Sequence, residues 1–346
     1  MGLLNFNKKD KKEKKELTPR QKALTVVALF VLLLLIINTV GNNIITSSGS
    51  GKGFNLIPGF MKHLKDNEPK ETKSETKTDN SKVSSSSSIK ETDFVFKVVN
   101  VGQGECVYMS CEGESALYDG GEYSFRMKKP EYNKDRDEVL DKVNDFKYVF
   151  LSHYDSDHAG GLVDIIYKKN IKTFIKPNYV GDTKTYKNII NALKDKHIKT
   201  VKAKAKKNFK LGSANIEIIS ANKNAYDEND RSTVIKVYHG NVSYMITGDL
   251  TNYGEYQLAK YEDTKAKLKS NVLVVGHHGS NASSNIDFLS EVLPNYAAVP
   301  VGENSYGHPA SSTLVNLNSV KAKILRTDKT GTITFWDDKN TLYVEK

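Results

Sequence analysis

The stretch Leu151-Ser152-His153-Tyr154-Asp155-Ser156-Asp157-His158-Ala159-Gly160-Gly161 constrains this chain more than any other. Residues 147–151 are apolar strand formers, and residues 159–167 carry Leu162, Ile165 and Ile166 at helical spacing, so the motif joins a strand to a helix. His153, Asp155 and Asp157 alternate along an extended segment with His158 adjacent. Four ligand-type side chains therefore converge on a small space, which suits one or two divalent ions. Gly160 and Gly161 let the backbone turn tightly beneath them. The plain alternative is a solvated loop whose carboxylates cap the next helix; it accounts for one aspartate more readily than for two aspartates and two histidines.

The two ends of the chain are unlike. Residues 1–22 hold eight Lys or Arg against three acidic residues, and residues 23–40 hold no charge. Eighteen uncharged residues approach the ~20 needed to cross a hydrocarbon core, and the positive-inside rule keeps the basic tail cytoplasmic. The expectation is a single-pass cell-membrane protein with an uncleaved anchor at 23–40 and everything beyond it outside. A cleaved signal peptide is the rival, although no small-residue cleavage site stands out after Ile37. Residues 41–92 are rich in Ser, Lys, Glu and Thr and read as a disordered tether. The folded domain is expected over 93–346.

Of the formal net charge of +10, the part carried by residues 93–346 is 35 basic against 32 acidic side chains. Overall basicity therefore reflects topology at the N-terminus and says little about nucleic acid. A local exception is residues 194–210, with eight lysines and one acid, Asp195. It is a solvated face or a track for a phosphate backbone. The two cysteines, Cys106 and Cys111, fall on opposite faces of a short strand, so neither a disulfide nor a thiolate metal cluster is expected.

From residue 93 the pattern is strand, then a Gly, Asp or His loop. Strands at 94–101, 106–109 and 115–118 enclose Gly102-Gln103-Gly104-Glu105 and end in Asp119-Gly120-Gly121; a helix spans 131–144. A hairpin of 233–238 and 242–246 turns across His239-Gly240-Asn241 and delivers Thr247-Gly248-Asp249, where Asp249 is a metal ligand or the cap of the helix that follows. The strand 271–275 ends in Gly276-His277-His278-Gly279-Ser280, and the strand 296–301 runs into residues 302–309, which include His308. Such a succession points to an α/β layered sandwich whose loops share one sheet edge.

With these residues, the domain resembles the metallo-β-lactamase fold superfamily, and within it the soluble domain of ComEC-type competence DNA-uptake proteins, over roughly residues 94–345. His153-x-Asp155-x-Asp157-His158 matches the H-x-H/D-x-D-H signature, with Asp at the second position. Val101-Gly102-Gln103-Gly104, Asp119-Gly120-Gly121, Thr247-Gly248-Asp249, His277-His278-Gly279-Ser280, Ser305-Tyr306-Gly307-His308-Pro309 and Thr327-Asp328-x-x-Gly331 match further motifs in the same order. The resemblance implies a four-layer αβ/βα sandwich with two divalent metal ions, zinc or manganese. It implies that His153 and Asp155 hold one ion, Asp157 and His158 the other, and that Asp249 bridges. His278 completes the second site, with His277 as the alternative. The histidine that usually precedes the bridging aspartate is missing, since His239 sits at the wrong end of its strand, and Asn229, Asp230 or Ser232 is expected in its place.

The function this implies is a metal-dependent hydrolase, a phosphodiesterase or nuclease acting on DNA in a competence-like role, with Asp157 and His308 as catalytic residues. Ser280, Asn304, Ser305, Tyr306 and the lysines Lys204, Lys206 and Lys207 are the expected substrate contacts. DNA-uptake or envelope proteins are the expected partners. Hydrolysis of small or envelope phosphodiesters is the second reading, and a catalytically weak DNA- or partner-binding surface module the third.

Overall fold

The computed structural model describes residues 89–122 and 131–345. The expected anchor at 23–40 and nearly all of the expected tether lie outside the described residues. Along the chain run β1 (Phe94–Val98), β2 (Val107–Cys111), β3 (Glu114–Tyr118), α1 (Glu131–Leu140), β4 (Asp145–Phe150), α2 (Ser156–Ala159), α3 (Leu162–Lys168) and β5 (Asn170–Lys176). Then come α4 (Lys184–Asp195), β6 (Thr200–Lys202), β7 (Asn208–Leu211), β8 (Ala214–Ser220), β9 (Val234–His239), β10 (Val242–Ile246), α5 (Asn252–Lys260), α6 (Glu262–Lys265) and β11 (Val272–Val274). The chain closes with α7 (Ile286–Val292), β12 (Tyr296–Val299), α8 (Ser311–Ser319), β13 (Lys323–Arg326), α9 (Thr327–Thr330), β14 (Ile333–Asp337) and β15 (Leu342–Val344).

Two mixed sheets result, in the orders β15-β14-β1-β2-β3-β4-β5-β6 and β13-β12-β11-β10-β9-β8-β7. One apolar cluster, built from strands of both sheets, lies between them and includes Phe96, Phe150, Ile216 and Tyr244. Phe96 and Tyr244, one from each sheet, stack with ring centroids 4.6 Å apart. A second cluster joins the outer face of the first sheet to α1, α3 and α4 through Leu140, Ile165, Ile166, Ile189 and Leu193. A third joins the second sheet to α5, α7 and α8 through Leu258, Phe288, Leu289 and Leu317. The order of layers is thus helix, sheet, sheet, helix. Each fully buried Phe or Leu in these clusters stabilises the fold by roughly 1.5–3 kcal/mol relative to exposure.

The cysteines face opposite ways as the sequence implies: Cys111, the last residue of β2, joins the inter-sheet cluster, Cys106, just before β2, the outer one, and both are free thiols. Other expectations are corrected. The helix read over 159–167 is two helices interrupted at Gly160-Gly161, because the Gly161 N–H donates to the Gly121 carbonyl at 2.8 Å while the Asp157 carbonyl that would continue the helix accepts from the Glu105 N–H at 3.1 Å. Strands β14 and β15 and helices α7 and α8 fall in segments to which the sequence patterns assign no element. Strand β14 is buried at all five positions and pairs with β1, more than 230 residues earlier, so its signal is long-range.

In the first sheet β3, β4, β5 and β6 are parallel neighbours, and in the second β10, β11, β12 and β13 are. Their carboxyl ends present the loops with Asp119, residues 151–161, Asp249, His277-His278 and residues 302–309 along one edge, where sites of α/β sheets form.

Candidate metal centre

Asp157, His158, Asp249 and His278 offer donor atoms that all lie within 4.8 Å of one another. Nε2 of His158 stands 3.0 Å from Oδ1 of Asp249 and 3.3 Å from Nε2 of His278. The same His278 nitrogen is 3.2 Å from Oδ2 of Asp157 and 3.6 Å from Oδ1 of Asp249. His277 Nε2 approaches Oδ2 of Asp249 at 3.7 Å, and His153 Nε2 lies 3.5 Å from Oδ2 of Asp155. His153 and His158 are neighbours, with ring centroids 4.3 Å apart. His153, Asp155 and His277 therefore flank the four-residue group and stand outside it.

Three of the four imidazoles are aimed from behind, the exception being His277, whose buried Nδ1 has no partner among the described residues. Nδ1 of His158 pairs with Oδ2 of Asp119 at 2.8 Å, and the same carboxylate accepts the backbone N–H and the hydroxyl of Ser152 at 2.7 and 2.6 Å. Nδ1 of His278 donates to the Pro300 carbonyl at 2.8 Å, and Nδ1 of His153 pairs with the Ser152 hydroxyl at 2.9 Å. Partners of this kind fix the tautomer and leave Nε2 free to act as a ligand. His277 and His278 both adopt left-handed backbone, with φ of 51° and 53°, a strained conformation for a histidine. Gly104 lies under the motif loop, where any side chain would strike the Asp157 carbonyl oxygen.

The electrostatics favour positive charge at the centre. Burial alone lowers the proton affinity of His278, but Asp249 and Asp157 outweigh it and lift the pKa to about 9. Burial raises the Asp157 carboxyl, yet the hydrogen bond from His278 and the charge of His158 hold it at about 2. Asp249 is held well below the carboxylate range against burial, chiefly by His158 and His278. Among the described residues, the buried atoms Oδ1 of Asp249 and Nε2 of His153 have no hydrogen-bond partner. Converging imidazole nitrogens, ionised carboxylates and unpartnered donor atoms fit divalent cations with mixed nitrogen and oxygen ligands.

The remaining site expectations divide. Asp249 does not cap a helix; Thr251 does, accepting from Tyr253 N. Asp230 is spent on Thr251, accepting its N–H and hydroxyl at 3.0 and 2.8 Å, and Asn229 lies in a one-turn 3-10 helix where its N–H is held by Asp227. Ser232 is the one of the three with a side-chain hydrogen bond to Asp249, its hydroxyl accepting the Asp249 N–H at 3.3 Å. Ser280 is buried, its hydroxyl turned to the Ala282 N–H. Asn304 builds the loop around His308: its amide donates to the Gly302 and His308 carbonyls and accepts from the Tyr306 and His308 N–H groups. Tyr306 is 74% exposed and stacks on His308, while Ser305 is exposed. Lys204, Lys206 and Lys207 lie in the turn after β6; Lys206 is paired with Asp263 at 2.8 Å and Lys207 rests over Phe209, which leaves Lys204.

Two residues at the centre have roles that sequence reasoning did not assign. Glu105 is fully buried with Oε2 3.8 Å from Nδ1 of His158, and burial, with Asp119 and Asp249 nearby, pushes its pKa to about 8. Asp119 is the residue that orients His158. Asp119 was signalled by the Asp119-Gly120-Gly121 motif but given no role, since a glycine-flanked carboxylate near a strand end is also an ordinary turn, and Glu105 had no signal beyond following Gly104.

A buried, histidine- and carboxylate-lined centre at the shared edge of two facing sheets defines a metallohydrolase-type site. Residues 99–303 match the family model of the metallo-beta-lactamase superfamily, and the chain belongs to that superfamily. Competence protein ComA of Neisseria gonorrhoeae is 31% identical over 253 residues, covering 71% of this chain and 33% of that protein. ComE operon protein 3 of Bacillus subtilis (strain 168) is 24% identical over 254 residues, covering 69% and 32%. The chain thus spans about a third of the length of these curated relatives. Among solved structures, the metallo-beta-lactamase fold protein YhfI from Bacillus subtilis aligns with a TM-score of 0.47 at 10% identity, covering 70% of this chain and 99% of that one.

Proposed function

We propose that this protein is a metal-dependent phosphodiesterase that cleaves DNA, anchored in the cell membrane by residues 23–40 with residues 93–346 outside. The observation that carries the hydrolytic reading is the convergence of Asp157, His158, Asp249 and His278 within 4.8 Å. His153 and Asp155 would hold a first ion, Asp157, His158 and His278 a second, and Asp249 would serve both. The chemistry two divalent ions supply is Lewis-acid neutralisation of phosphoryl charge and acidification of water. The competence-protein relatives favour DNA as the substrate and a role beside DNA-uptake proteins. The uncharged run after a basic tail favours the anchor.

The chain's own residues set the rest of the reaction. Asp119, Ser152 and the Pro300 carbonyl keep the ligand imidazoles in one orientation, so no reorganisation is needed as charge develops. His308 is half-buried, and burial followed by the charges of His277 and His278 lowers its proton affinity. Gly302 N–H donates to Oε1 of Gln103 at 3.4 Å, which turns the Gln103 amide nitrogen toward Nδ1 of His308 at 3.5 Å. A neutral His308 so held carries its proton on Nε2 and offers it to a phosphoryl or leaving-group oxygen.

The test is to purify the full-length chain in mild detergent, add zinc or manganese, and measure bound metal beside cleavage of labelled DNA and bis(p-nitrophenyl) phosphate. About two metals per chain with chelator-sensitive cleavage is the expected result. A metal-loaded chain that cleaves neither substrate would sink the assignment.

A further inference from the structure

Strands β5 and β6 end side by side at the edge that carries the metal loop, and their last residues are both lysines. Lys176 and Lys202 are register partners across the parallel pair, so their side chains share one face of the sheet. Like charges placed opposite each other repel, and neither lysine forms an ion pair among the described residues. Lys176 is half-buried, and its proton affinity is lowered by burial and then by Lys202. This is an arrangement a fold tolerates more easily when an anion is to be held there.

The pair has a defined relation to the centre. Leu151 N–H donates to the Ile175 carbonyl at 2.9 Å, which sets Lys176 level with the start of the His153 loop. Tyr179, three residues past Lys176, packs edge-on against Tyr154, the neighbour of His153, at 5.2 Å between centroids. Lys202 lies one strand further out, two strand spacings or about 10 Å from β4. The lysines therefore run sideways from the metal loop, and Lys206, held by Asp263, has no part in the line.

We propose that Lys176 and Lys202 form a subsite for successive phosphates of a phosphodiester polymer whose scissile bond lies at the metal centre. The inference rests on the phosphodiesterase reading and sharpens it: the substrate is a chain long enough to reach both places, and a small diester fills only the centre.

The experiment uses the full-length chain and its Lys176→Gln/Lys202→Gln double variant, with Lys202→Gln alone and Lys206→Gln as companions. Binding of a fluorescent single-stranded oligonucleotide is followed by anisotropy from 50 to 300 mM salt, and turnover is measured on the oligonucleotide and on bis(p-nitrophenyl) phosphate. The double variant should bind the oligonucleotide about tenfold more weakly at low salt, with a log–log salt slope shallower by about 1.4. Lys202→Gln, on an exposed position, should give about half that change in slope, Lys206→Gln none, and bis(p-nitrophenyl) phosphate turnover should stay within twofold throughout. Unchanged oligonucleotide binding and slope in the double variant would overturn the subsite, as would a parallel loss on the small diester. Should the parent chain cleave nothing, the phosphodiesterase reading fails, and the anisotropy series still decides the lysine pair.

Discussion

Asp119 and His158 meet at 2.8 Å, carboxylate Oδ2 to Nδ1, with both side chains fully buried and the opposite ring nitrogen turned to Asp249. Asp119→Asn keeps the shape and removes the charge that holds this imidazole. Outer partners of ligand histidines are worth 10–100-fold in metal affinity, and a loss of about that size is expected. Competition against a chromophoric chelator measures it; an unchanged affinity would show that the carboxylate does not orient the ligand.

Asp157→Ala removes one member of the central group and leaves His278 Nε2 without the carboxylate at 3.2 Å. Turnover should fall below detection, with about one metal lost per chain by elemental analysis. Retained turnover would exclude Asp157 from the reaction.

Bound metal should also stabilise the fold. Gathering Asp157, Asp249, His153, His158 and His278 without a cation leaves buried donor atoms unpartnered. At a metal concentration 100 times its dissociation constant, mass action adds about 2.7 kcal/mol, or roughly 5–10 °C in Tm for a domain of this size. Thermal scans with chelator and with manganese or zinc check this, and coincident curves would refute it.

His239 gives a pH signature away from the metal. Its Nδ1 lies 2.6 Å from Asp337, which also accepts from the Tyr244 hydroxyl. Burial lowers the His239 pKa, but Asp337 and Cys111 raise it to about 9, above the unfolded value near 6.5. Its stabilisation is thus complete below pH 6.5 and is lost as pH climbs through 9. The urea midpoint should decline across that window, and the decline should be smaller in His239→Gln.

Gly104→Ala tests the floor of the motif loop. The added methyl meets the Asp157 backbone at a glycine with φ of 156°. The loop must move, at a cost of about 1–3 kcal/mol, and metal affinity should drop with stability. Full affinity in this variant would mean that the loop is held from elsewhere.

The parts of this centre that could be read from the chain are those whose chemistry is written locally. His153, Asp155, Asp157 and His158 stand together because one strand-to-helix loop carries them, and Asp249 and His278 each end an apolar strand. The roles of Asp119 and Glu105 stayed unread because their meaning lies in His158, 39 and 53 positions away, and a carboxylate beside glycines looks the same in any turn. Asn304 and Ser280 read as substrate contacts because polar loop residues near a histidine resemble them; only the fold reveals that the Asn304 amide is bonded within its own loop and that Ser280 Oγ accepts the Ala282 N–H. Helix α8 was missed because Ser311–Ser319 carries little amphipathic contrast.

Strand β1 lies between β2 and β14, so the first strand of the domain is gripped by one made more than 230 residues later. A nascent chain halted at residue 330 would already own every histidine and aspartate of the centre, yet its eight-stranded sheet would lack both β14 and β15. Assembly of the domain is therefore tied to delivery of residues 333–344, and a copy terminated before them would carry the candidate ligands without the two strands that close their sheet.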